Sequence, residues 1–314
     1  MKKLICTIIF GICAFSLCAQ DDQQLSQYVF NQVLINPAAV GGSGMMEASV
    51  LQRSQFMGFK GAPTIWSLGV SSPFGLFNAE HGGALNISND KVGSFDKMTF
   101  KLSYAYWHRF SNEEKLGIGI SLGGISYGVD PSSDWSSSGV ADPSIPTSKE
   151  ASSVGFDLGF GLYYKQKNYF VGLSCLHLNQ PKTLKLETGG KALQIKRTFY
   201  LSGGYEWQTS NENIVVYPSV LMSFITLKKP QFGFGGNVFY QGRYWGGLSY
   251  RILDALGITA GINFDDVFKV GIAYEYPLSK FFGNTGGNLE VFLTYAFEVK
   301  ITKKEKKYKS LRFL

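Results

Sequence analysis

The chain has 314 residues, of which 15% are aromatic and only 17% charged, with 37 glycines, a profile that suits glycine-spaced apolar strands better than a highly charged soluble domain. Its net charge of +7 sits at the two ends: Lys2 and Lys3 at the start, and Lys300, Lys303, Lys304, Lys306, Lys307, Lys309 and Arg312 against Glu305 at the close. The stretch between is close to neutral, which excludes the basic stripe that nucleic acid would need.

In chain order, Lys2 and Lys3 precede an apolar run from Leu4 to Leu17, and Ala19 stands before the polar stretch Gln20 to Gln24. Residues 1–19 therefore read as a cleaved secretory signal, too short for a lasting membrane helix of ~20 apolar residues. Cys18 raises a lipidated alternative, against which stands Leu17, where such a site wants a small residue. Cys6, Cys13 and Cys18 leave with the signal, so only Cys175 remains and no internal disulfide is expected. Cys175 reads as a packed thiol. No later run reaches ~18 apolar residues, which excludes helical spans.

Residues 20–44 form an N-terminal segment, periplasmic or luminal. From there the chain alternates with a period of two. Met98, Phe100, Leu102, Tyr104 and Tyr106 alternate with Lys97, Thr99, Lys101, Ser103 and Ala105; Phe268, Val270, Ile272, Tyr274 and Tyr276 alternate with Lys269, Gly271, Ala273 and Glu275. One face is greasy and the other small or polar, as in a barrel wall with lipid outside and a polar lumen. Cutting at turn signals predicts roughly fourteen strands, near 45–57, 63–72, 81–89, 95–110, 115–128, 153–165, 168–178, 196–210, 213–227, 231–241, 244–253, 255–264, 267–277 and 289–299. The expected fold is all-β: a single transmembrane antiparallel β-barrel over 45–299, both termini periplasmic. Periplasmic turns are then expected at Pro73 to Glu80, Ser111 to Glu114, Gln166 to Lys167, Asn211 to Glu212, Gly242 to Arg243 and Asp265 to Asp266. The longest connections, Val129 to Ser152, Asn179 to Ile195 and Leu278 to Asn288, fall on the outward side. Residues 300–314 are a basic periplasmic tail, read equally as a solvated end and as a candidate partner contact through Lys303, Lys304, Lys306, Lys307 and Lys309.

Several stretches carry a resemblance. Ser26, Gln27, Tyr28, Asn31, Asn36, Pro37 and Ala38, then Arg53, Gln55, Gly58, Gly61, Ala62, Pro63 and Pro73, closely resemble the PorP/SprF family of outer-membrane proteins of the type IX secretion and gliding-motility machinery. Asn89, Asp90, Asp142, Pro143 and Ser249-Tyr250-Arg251 continue the likeness; Gly286-Gly287-Asn288-Leu289-Glu290 departs from the family pattern near the last strand. The resemblance implies a non-enzymatic barrel in the outer-membrane lipid, working with type IX secretion components on export or surface attachment of adhesin cargo.

The residues themselves leave alternatives open. Asn36-Pro37-Ala38 reads as a turn leading into the first strand; the competing reading, from channels of the fatty-acid-transporter type for hydrophobic solutes, makes Leu25 to Ala39 a short luminal plug. Gly58 to Pro63 reads as a tight outward turn. Arg53 and Arg251 are expected to face the lumen and pair with carboxylates such as Glu47 or Glu206. His81, His108 and His177 lie in three different strands, with no HExxH, no cysteine pair and no Gly-x-Ser-x-Gly elbow. No catalytic site, cofactor or metal is expected, and Asp130, Asp134 and Asp142 read as loop residues.

Overall fold

The computed structural model describes residues 24–129, 153–183, 194–225, 228–265, 267–278, 283 and 285–298. Their strands are β1 (Met45–Ser54), β2 (Thr64–Leu76), β3 (Ala79–Val92), β4 (Phe95–Arg109), β5 (Lys115–Val129), β6 (Ser153–Lys165), β7 (Tyr169–Leu176), β8 (Thr198–Tyr205), β9 (Trp207–Gln208), β10 (Ile214–Ile225), β11 (Lys228–Tyr240), β12 (Tyr244–Arg251), β13 (Ala255–Phe264), β14 (Phe268–Pro277) and β15 (Asn288–Glu298). Each pairs antiparallel with its neighbours, β10 joins β11, and β1 joins both β2 and β15, which closes the ring. β8 and β9 pair with the same strand, β10, and form one wall strand interrupted at Glu206, whose N–H turns to the Asn168 carbonyl at 2.6 Å. The wall therefore has fourteen strands, as the alternation predicts.

The alternation sorts the side chains as a lipid solvent requires. On β4, Met98, Phe100, Leu102 and Tyr104 are exposed on the outer face, while Lys97, Lys101, Ser103 and Ala105 are buried within. Closure leaves no unpaired edge, so backbone groups at membrane depth are satisfied within the wall. Near one mouth the outer face carries Tyr205, Trp207, Tyr240, Tyr244, Phe264, Phe268, Tyr295 and Phe297, all exposed, as an aromatic girdle.

That girdle lies at the mouth where Met45 and Glu298 are register partners. The turns there are short: 77–78, 110–114, 166–168, 209–213, 241–243 and 265–267. The first is tighter than the expected Pro73 to Glu80, because β2 and β3 run on to Leu76 and from Ala79. Phe77 (φ 50°) and Asn78 (φ 62°) both take the positive φ that a two-residue hairpin of this twist requires. The longest connections, 130–152 and 177–197, belong to the opposite mouth. Most of them, like the signal segment and the basic tail, lies outside the described residues.

The N-terminal segment is not beneath the barrel but inside it. It holds one helical turn, α1 (Gln32–Ile35), and a 3-10 turn, Pro37–Ala39. Its start, Gln24, donates from Nε2 to Gln231 Oε1 at 2.9 Å, close to where β11 begins at the long-loop mouth. Its end reaches the short-turn mouth, where Lys165 Nζ donates to the Gly42 carbonyl at 3.2 Å. The two ends of the wall thus share one mouth, as expected of an even strand number, while Gln24 stands towards the other. A segment that crosses the lumen exchanges one mouth for its opposite.

Candidate functional site: a luminal strap and its anchors

The luminal strap, residues 24–44, is built by three local features. Asn36 caps the 3-10 turn, its Oδ1 accepting from the Ala38 N–H at 2.9 Å, and Pro37 supplies a preset φ where no N–H is needed. The same Asn36 side chain donates from Nδ2 to the Leu162 carbonyl of β6 at 3.0 Å. Asn36-Pro37-Ala38 is therefore both readings at once, a turn and the centre of a plug.

Wall glycines admit it. A Cβ on Gly119 would lie 2.3 Å from the Ala38 nitrogen, one on Gly161 2.1 Å from Asn36 Oδ1, and one on Gly82 2.2 Å from the Val40 carbonyl oxygen. The strap's carbonyls, which no ladder satisfies, are met by wall side chains. Lys101 Nζ donates to Leu34 at 2.8 Å, Ser174 Oγ to Ile35 at 2.6 Å, and Trp107 Nε1 to Val40 at 2.8 Å. Phe30 packs between Trp245, Phe292 and Phe239, with ring centroids at 4.9, 5.3 and 6.2 Å. Tyr28 donates to Ser219 Oγ at 2.9 Å, and Ser202 Oγ donates to Gln32 Oε1 at 3.3 Å.

The strap's upstream half is held by charge. Arg53, fully buried, reaches Glu290 at 2.9 Å, Glu275 at 2.6 Å and Ser26 Oγ at 2.6 Å. Glu290, equally buried, accepts the backbone N–H groups of Ser26 and Gln27, both at 2.9 Å. Arg251 joins the same network through Glu275 at 3.0 Å and pairs with Asp254. The expected partners of the two arginines are thus corrected. Glu47 and Glu206 lie too far along the barrel, at the short-turn mouth, where with Lys165, Lys269, Phe30 and Val33 they line a cavity of about 280 Å³. Sequence reasoning assigned no role to Glu275 and Glu290. Their inward parity was visible, but Arg53 and Glu290 face each other only because β1 closes on β15 in that register.

The singled-out residues therefore separate into two places. Gln27, Tyr28, Asn31, Asn36 and Pro37 lie on the strap, with Arg53 and Arg251 as its anchors; Asn31 braces it internally, its Nδ2 donating to the Gln27 carbonyl at 3.2 Å. Gly61, Pro63, Asn89 and Asp90 lie together at the long-loop mouth. Gly61 (φ 75°) accepts from the Gly93 N–H at 2.9 Å, Gln55 donates to the Pro63 carbonyl at 2.9 Å, Asn89 bonds Asp96, and Asp90 pairs with Lys97 at 3.7 Å. Asp142, Pro143 and the lysines from Lys303 to Lys309 lie outside the described residues.

The three histidines stay apart. His81 contacts Tyr104 Oη at 2.7 Å and the Leu76 carbonyl at 3.0 Å, His108 packs on Phe110, and His177 pairs with Asp157 at 2.8 Å. Among the described residues no cluster of three or more His, Cys, Asp or Glu could hold a metal ion. Cys175 is buried.

A sequence-family model described as "Type IX secretion system membrane protein PorP/SprF" matches residues 17–295. The chain belongs to the PorP/SprF family. Its site in the cell is accordingly the outer membrane, as a barrel of the type IX secretion system. Two solved structures, both of TodX, show the same fold at low identity. The TodX ΔS2S3 mutant, a monoaromatic hydrocarbon channel, aligns with a TM-score of 0.51 at 11% identity over 84% of this chain and 93% of that one. The Pseudomonas putida toluene transporter TodX aligns with a TM-score of 0.50 at 12% identity over 88% and 95%. The Acinetobacter baumannii protein Omp33 gives a TM-score of 0.48 at 7% identity over 81% and 98%. The search of curated proteins returned no match.

The glycine seat of this PorP/SprF protein makes a direct prediction. Gly119→Leu places a side chain against the Ala38 backbone, so it should loosen the strap and lower the thermal midpoint of the purified barrel. Gly236→Leu, where a Cβ meets nothing within 4 Å, should leave the midpoint unchanged. Equal midpoints for both variants would show that the strap does not need the wall glycines.

Proposed function

We propose that this barrel is a plugged, non-enzymatic docking component of type IX secretion, which supports export or surface attachment of adhesins. The observation that carries the reading is the strap: a lumen crossed by a segment tied to the wall at both mouths suits a scaffold better than a standing conduit. In this reading the long-loop mouth faces the exterior, while the short-turn mouth, the cavity beside Glu47 and Lys165 and the basic tail face the periplasm. The alternative, a channel for hydrophobic solutes, would need the strap to move aside.

A deletion strain tests the choice. Loss of surface adhesin with normal uptake of hydrophobic substrates is the expected result; normal adhesin display with lost uptake would reject the docking role. The tail gives a second test. If Lys303, Lys304, Lys306, Lys307 and Lys309 hold an acidic periplasmic partner, replacing all five by glutamine should leave barrel insertion intact and reduce co-purification of that partner. Binding to the unaltered tail should weaken as salt rises, because exposed charges are screened beyond ~8 Å at physiological ionic strength. Unchanged co-purification would leave the tail a solvated end.

A further inference from the structure

We infer that the strap is entered from the long-loop mouth, so that Gln24, where the described strap begins, and Glu298, where the wall ends, face opposite sides of the outer membrane. The wall alone would place them together, since Met45 and Glu298 are register partners at the short-turn mouth. The strap reverses this for the N-terminal end. Its two ends meet the wall at opposite mouths, and between them the chain dips: Phe30 packs on Phe239 and Trp245 near the short-turn mouth before the next turn is held higher. Gln24 meets Gln231 near the start of β11, and Ser26 and Gln27 meet Glu290 near the start of β15, both at the long-loop mouth. Leu34, Ile35 and Asn36 are held at mid-height by Lys101, Ser174 and the Leu162 carbonyl. Val40 and Gly42 are held by Trp107 and Lys165, near the ends of β4 and β6 at the short-turn mouth, two residues before Gly44 turns into β1.

A segment that entered and left the lumen by the same mouth would bring Gln24 and Gly42 against the same wall height, and their contacts with Gln231 and Lys165 place them at opposite ends instead. The charge network has the right position for this direction: Arg53 and Glu290 grip the first described residues at the mouth from which the strap is entered. The strap is thus a covalent link through the membrane. Whatever binds the upstream end at one mouth shares a continuous backbone with Phe30 and Val33, which line the cavity at the other.

The inference does not depend on which mouth faces outward, and the test keeps the two questions separate. In a Cys175→Ser background, Gln23→Cys and, in a second protein, Lys304→Cys are reacted with a membrane-impermeant maleimide on intact cells and after permeabilisation. Heat-dependent gel migration confirms insertion of each. Labelling of Gln23→Cys on intact cells, and of Lys304→Cys only after permeabilisation, is the expected result. The reverse pattern keeps the ends on opposite faces and overturns only the orientation proposed above. Labelling of both on intact cells, or of both only after permeabilisation, overturns the inference. Should the Gln23→Cys thiol be shielded in both states, a short epitope inserted after Asp22 and read by antibody on intact and permeabilised cells decides between the same outcomes.

Discussion

Arg53→Met should be the most damaging single substitution in the barrel. Arg53 is completely buried and neutralises Glu275 and Glu290 at once, so its removal leaves Glu290 buried without its cation and Glu275 held by Arg251 alone. Breaking a buried ion pair by deleting one partner costs about 3–5 kcal/mol, because the remaining charge stays desolvated. The folded, heat-modifiable band should be lost at a much lower temperature, or fail to form. The triple variant Arg53→Met, Glu275→Gln, Glu290→Gln should recover a large part of the loss. Replacing a whole buried ionic group by neutral residues of similar volume is often neutral or stabilising, and the amide oxygen that Glu290→Gln introduces could still accept an N–H from the strap. A triple variant as unstable as the single one would show that packing, not charge, is what Arg53 contributes.

Deleting residues 24–43 should convert a closed barrel into an open one. The strap fills the lumen through Phe30, Val40 and the Asn36 turn, and its removal leaves the polar inner faces of fourteen strands around a water-filled space, as in porins of similar strand number. In planar bilayers the full-length protein should be nearly silent, and the deletion variant should conduct ions steadily. The deletion also exposes the glycine seat and leaves Arg53, Glu290 and Trp107 without strap partners, so the variant should be less heat-stable. Equal conductance in the two proteins would mean that the strap does not seal the pore.

The fold was largely legible before any coordinates. Period-two alternation is a local property, and each lipid-facing strand displays it without help from the rest of the chain. Strand positions therefore followed from residues such as Met98 to Tyr106 and Phe268 to Tyr276. The turn at Phe77 and Asn78 was placed correctly but drawn too wide, because Pro73 looks like a breaker; here it sits within β2, opposite Gly82 on β3. The strap was legible as an alternative only. Asn36-Pro37-Ala38 states that a turn forms, and says nothing of which surface it meets.

The sequence alone sufficed for the period, the strand count, the export signal as an expectation and the family resemblance, because all of these are written in neighbouring residues. What required tertiary structure was pairing across the ring. Arg53 and Glu290 are separated by nearly the whole wall and become register partners only when β1 closes on β15. Glu275 joins them from β14, and Ser26 and Gln27 from a segment in no strand at all. Inward parity assigned these side chains to the lumen, but height along the barrel decides which carboxylate an arginine meets. That height is set by the accumulated register of fourteen antiparallel pairings, which is a property of the closed ring and of no single stretch of chain.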